Sequence, residues 1–63
     1  MDNDFINKTV IITGAGSGIG RAIADAFYKL NANVCITDIS LKAARETQNI
    51  IGEKRSQVYE LDV

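Results

Sequence analysis

Two kinds of apolar run alternate along this chain: short β-branched stretches, and longer ones in which apolar side chains recur at helical spacing. The first, Lys8 to Thr13, reads Lys-Thr-Val-Ile-Ile-Thr and ends at a glycine cluster, which predicts a strand buried on both faces. From Ile19 onward, Ile19, Ile23, Ala26, Phe27 and Leu30 repeat with a helix's period, while Arg21, Asp25 and Lys29 fall on the opposite, solvated face. Asn31 suits the stop of that helix because Asn tolerates the left-handed conformation, and Lys29 faces the negative end of the helix dipole. A second β-branched run, Asn33 to Asp38, predicts another buried strand with Asp38 at its C-terminal end. Ser40 then fits a helix N-cap. Leu41 to Ile51 places Leu41, Ala44, Gln48 and Ile51 on one side, flanked by Ala43 and Ile50, and Gly52 supplies a stop. After the charged turn Glu53-Lys54-Arg55, Val58, Tyr59, Leu61 and Val63 mark a third strand over Ser56 to Val63.

The predicted order is therefore β-α-β-α-β, an α/β Rossmann-type arrangement with a three-stranded parallel sheet and right-handed crossovers. Both helices should cover one face. The other face, carrying half of Val10-Ile11-Ile12 and of Val34-Cys35-Ile36, should be bare, as should the far edge of the first strand. A bare face suggests part of a larger doubly wound sheet, so the expected organisation is an N-terminal arm over 1–7 and the N-terminal part of a Rossmann-type domain over 8–63.

Composition limits the chemistry without choosing it. At 63 residues the chain is one domain or part of one, and 46% hydrophobic with 24% charged residues is a globular balance. Seven basic and eight acidic residues leave a net charge of −1, which offers no field to attract nucleic acid or an anionic membrane. The start, Met1-Asp2-Asn3-Asp4, is acidic where a secretion signal would be basic, so the expected location is cytoplasmic. Cys35, the single cysteine, lies in an apolar run and reads as a buried, inert thiol, and no metal site is expected.

The chemistry begins at Thr13-Gly14-Ala15-Gly16-Ser17-Gly18-Ile19-Gly20, between the first strand and the first helix. Free N–H groups and the positive end of the macrodipole at a helix N-terminus stabilise a pyrophosphate without any cationic side chain. The backbone can approach one only where Cβ atoms are missing. Gly14 suits the tight turn leaving the strand, Gly18 the approach of the phosphates, and Gly20 the close packing of the helix on the first strand. Beyond the glycines by about twenty residues, an acidic side chain at the end of the second strand is expected to accept the ribose hydroxyls of the adenosine half. Asp38 is that residue. Its carboxylate would repel a 2′-phosphate at close range, which favours NAD over NADP.

Three after Gly16 stands Ile19 rather than glycine, so the spacing is Thr-Gly-x-x-x-Gly-x-Gly. Followed by Arg21-Ala22-Ile23-Ala24, it closely resembles the N-terminal signature of the short-chain dehydrogenase/reductase family, and the resemblance runs from about Lys8 to Val63. It implies that the Ile19 backbone N–H binds the pyrophosphate and that Ser17 lies beside the adenosine ribose. It further implies that Asp62 reaches the adenine amino group and that Val63 touches the ring through its backbone. Relatives preferring NADP carry a basic residue just before the second motif glycine or just after the acidic position. Ser17 and Ile39 stand there, and Ile39 joins the expected cofactor-binding residues.

The resemblance also implies hydride transfer between nicotinamide and an alcohol or carbonyl substrate, and assembly as a homo-oligomer. Family members perform that chemistry with a serine and a Tyr-x-x-x-Lys pair, but Tyr28 is followed four residues on by Ala32 and Tyr59 by Val63. Both tyrosines therefore read as packing residues, and the catalytic set is expected beyond Val63. A non-catalytic nucleotide-binding module or sensor is the alternative. An S-adenosylmethionine-dependent methyltransferase fits less well, since it would usually carry an acidic residue where Thr13 stands. No Gly-Lys-Ser/Thr follows the glycines, which excludes a P-loop.

Overall fold

The structure, a computed structural model, describes residues 5–61. Five elements follow in order: β1 (Thr9–Thr13), α1 (Gly18–Lys29), β2 (Asn33–Asp38), α2 (Leu41–Ile51) and β3 (Ser56–Glu60). The strands form one parallel sheet in the order β1-β2-β3. Register aligns Ile12 with Ile36 and Ile36 with Val58, a row of branched side chains that faces both helices. Val34 and Ile36 are buried, each contributing about 1.5–3 kcal/mol by leaving water. They join Ile12, Ala24, Ala44 and Ile51 in a single core.

The opposite face is uncovered among the described residues. Ile11 is 68% exposed and Tyr59 53%. Neither β1 nor β2 is thus buried on both faces here, and two side-chain expectations change with that. Cys35 is half-buried rather than enclosed, although burial still pushes its thiol pKa up, against reactivity. Tyr59 is not packed either; its hydroxyl donates to Gln57 Oε1 at 3.0 Å. Tyr28 does pack, with Arg55 stacked 4.1 Å from its ring centre and donating to the Tyr28 and Ala32 carbonyls.

Element boundaries shift slightly from the sequence expectation. Strand β1 begins at Thr9 rather than Lys8, and β3 ends at Glu60, after which the Leu61 N–H still bonds to Asp38 O at 2.8 Å. Helix α1 ends as expected, with Asn31 at φ +72°. Its N–H reaches Tyr28 O at 3.0 Å and the Ala32 N–H reaches Phe27 O at 3.1 Å, the paired bonds of a Schellman motif. In α2 the Ser40 hydroxyl accepts from the Ala43 N–H at 3.1 Å, satisfying one orphan donor of the helix start.

The rotation of α1 differs from the predicted one. Ile19, Ile23, Ala26 and Leu30 are exposed, Ile19 by 81%, while Ala24 is buried and Phe27 half-buried. The reason lies at Gly20, where an added Cβ would collide with the Gly14 carbonyl oxygen and come within 3.0 Å of Ala15 Cα. Only a face of small residues, Gly20 and Ala24, approaches the turn and sheet that closely, so the large aliphatic stripe turns outward. Arg21 consequently leaves the wet face, whereas Asp25 and Lys29 stay on it as an ion pair at 3.0 Å. In α2, Ile50 is exposed and the buried positions are Ala44, Thr47 and Ile51.

Candidate functional site

The site forms where β1 and β2 end. Strand β1 delivers the chain into Gly14 at φ +65°, and a second left-handed glycine, Gly18 at φ +60°, opens α1. A Cβ at either position would meet no atom within 4 Å, so both glycines border open space. Ser17 at the N-cap is extended and its side chain makes no capping bond. The first bond into the helix is the long one from the Arg21 N–H to Ser17 O, at 3.3 Å. The N–H groups of Ser17, Gly18, Ile19 and Gly20 therefore precede the helical ladder, at its positive end.

Asp38 reaches this turn from the end of β2. Its Oδ2 accepts from the Gly16 N–H and its Oδ1 from the Ser40 N–H, both at 2.9 Å. These bonds, the Ser40 one first and the Gly16 one next, hold the carboxyl pKa below the usual aspartate value, against a smaller opposing effect of desolvation. The group is thus an anion at neutral pH. Two carboxylate oxygens offer about four acceptor directions, so two backbone bonds leave capacity for hydroxyl donors. Ile39, next to it, is exposed. The expected N-cap at Ser40 and the expected ligand aspartate thus share one corner.

Gly14, Ser17, Gly18, Ile19, Gly20, Asp38 and Ile39 all stand at this end of the sheet. Asp62 and Val63 lie outside the described residues. Gly20 works a little differently from expectation, packing on the Gly14–Ala15 backbone of the turn itself. Gly16 carries a constraint the sequence did not reveal, since its Cβ would fall 2.6 Å from Asp38 Oδ2 and 2.7 Å from Ala43 Cβ.

Two further residues organise the turn. Thr47, wholly buried in α2, donates from its hydroxyl to Ala15 O at 2.7 Å. Arg21 donates from Nε to Thr47 Oγ1 at 2.9 Å and from Nη2 to Gly16 O at 2.6 Å, with Glu46 Oε1 4.0 Å from the guanidinium. The spacing Ala44-Thr47-Ile51 could have placed Thr47 on the inner face, but a threonine in that stripe is outweighed by its aliphatic neighbours. Arg21 is expected on the solvated helix face, and apart from its position directly after the glycines nothing in the sequence signals these bonds. A separate recess lined by Asn33, Cys35, Lys54 and Arg55 lies at the opposite ends of the strands, away from the glycine turn.

Residues 8–63 match the family model described as short chain dehydrogenase. Sorbitol dehydrogenase of Cereibacter sphaeroides is 53% identical over 45 residues, 71% of this chain and 18% of that protein. A hydroxysteroid dehydrogenase from Escherichia coli superposes with a TM-score of 0.86 at 34% identity, covering 97% of this chain and 27% of that one. A metagenomic short-chain oxidoreductase in complex with NADP gives 0.85 at 27% identity, over 92% and 27%. The chain thus spans between about a fifth and a quarter of these relatives' lengths.

Proposed function

The chain belongs to the short-chain dehydrogenase family, and from that premise we propose that residues 8–63 bind the dinucleotide of an oxidoreductase preferring NAD to NADP. The observation that carries the reading is Asp38, an ionised carboxylate tied to the Gly16 N–H at the rim of an open glycine turn. The turn has the features a pyrophosphate needs. Space borders Gly14 and Gly18, and unladdered N–H groups from Ser17 to Gly20 lie at a helix's positive end.

In this reading the Ile19 N–H binds the pyrophosphate, Ser17 lies beside the ribose and Asp38 accepts its hydroxyls. Ile39 borders the adenosine half without a charge that could neutralise a 2′-phosphate. Asp62 and Val63 take the adenine, as the family pattern implies. A bound nicotinamide would supply the hydride acceptor or donor. The substrate is an alcohol or carbonyl compound, a class supported by relatives named for sorbitol and hydroxysteroid, and its catalytic residues are others than these. A cytoplasmic location and a homo-oligomer belong to the same proposal.

The deciding measurement is calorimetric titration with NAD and with NADP. NAD should bind more tightly, and Asp38→Ala should weaken NAD by about tenfold while narrowing the gap to NADP. Tighter binding of NADP by the unmutated chain would refute the assignment.

A further inference from the structure

Resting on the pyrophosphate reading of the turn, we propose that Arg21, braced by Thr47, is a positioning residue that aims the Ser17 N–H at the bound phosphates. A peptide unit is planar and trans, so its N–H and C=O point in opposite directions. The Ala15–Gly16 unit demonstrates the consequence: its carbonyl is held by Thr47 at 2.7 Å and its N–H by Asp38 at 2.9 Å, on opposite sides. In the next unit, Gly16 O is held by Arg21 Nη2 at 2.6 Å. The Ser17 N–H is therefore turned away from the guanidinium.

Glycine makes such control necessary, because peptide units flanked by Gly14, Gly16 and Gly18 rotate with little steric resistance. A half-turn of the Gly16–Ser17 unit would present a carbonyl oxygen to an anion. Arg21 opposes that rotation with two N–H groups set in one plane, one on Gly16 O and one on the buried Thr47 hydroxyl. The hydroxyl is itself oriented, since its proton goes to Ala15 O and its oxygen accepts from Arg21 Nε. Glu46, 4.0 Å away on α2 and largely exposed, adds only a weak charge attraction on that side. Two helices thus fix two successive peptide units.

The test uses the full chain and two probes, NAD and adenosine, the second having no phosphate. Arg21→Met should weaken NAD by about tenfold and adenosine clearly less, because adenosine keeps the ribose contacts of Asp38 and the Ser17 side chain and has no phosphate for the aimed N–H to meet. Arg21→Lys, which reaches one acceptor, should recover part of the loss, and Thr47→Val, which keeps the volume but removes the hydroxyl, should lose part of the NAD affinity and likewise affect adenosine less. Equal weakening of both probes, or none of either, would overturn the inference. Should the unmutated chain fail to bind NAD while melting cooperatively, the dinucleotide reading itself falls and this inference with it.

Discussion

A methyl group at Gly16 would press on the Asp38 carboxylate and on Ala43, so Gly16→Ala should drive the carboxylate off its bond and weaken NAD by about tenfold. Gly20→Ala is more damaging, because its Cβ would meet backbone that no side-chain rotation relieves. It should cost about 3 kcal/mol, read from urea unfolding. Asp38 also gives a pH signature. Its pKa is lower folded than unfolded, so its stabilisation is complete above the ordinary aspartate range and disappears as pH falls through the folded value. Melting temperature should fall less steeply below about pH 4 in Asp38→Asn than in the unmutated chain. The left-handed turns at Gly14 and Gly18 and the strand-end carboxylate of Asp38 were legible because backbone freedom and charge are encoded by residue type. The Thr47 bonds to Ala15 and Arg21 and the contact of Gly16 with Asp38 join segments more than twenty residues apart, and no local pattern records those.

Helix α1 separates what periodicity conveys from what it leaves open. The spacing of its apolar residues located a helix, yet Ile19 and Ile23 stand on its outer face while Ala24 and Phe27 face the core, because proximity at Gly20 overrides hydrophobicity in choosing the inner face. Its terminus was legible for a different reason: left-handed backbone at position 31 restricts the residue type to Gly or Asn. Asn31→Ala should therefore cost about 1 kcal/mol, and thermal denaturation would register it. The start of α2 was read equally well from Ser40, and Ser40→Ala should lose a similar amount, about 1 kcal/mol. For α2 the expected bounds, Leu41 to Ile51, coincide with the structure.

Across the whole molecule, the order of strands and the bare face followed from the sequence, since alternating elements with short links admit few arrangements. Burial on both faces did not hold for the described residues. Cross-strand pairing is densest in the middle, where β2 has a partner on either side, so amides from Val34 to Thr37 should exchange with deuterium more slowly than those of β1 or β3. The strand order β1-β2-β3 also bears on how the chain emerges from a ribosome. Each strand pairs with the one made just before it, a single helix away, so closing each loop costs little entropy and no strand waits long for a distant partner. The glycine turn and Asp38 lie at the junction of the first such pair, so their meeting does not require β3 to have joined the sheet.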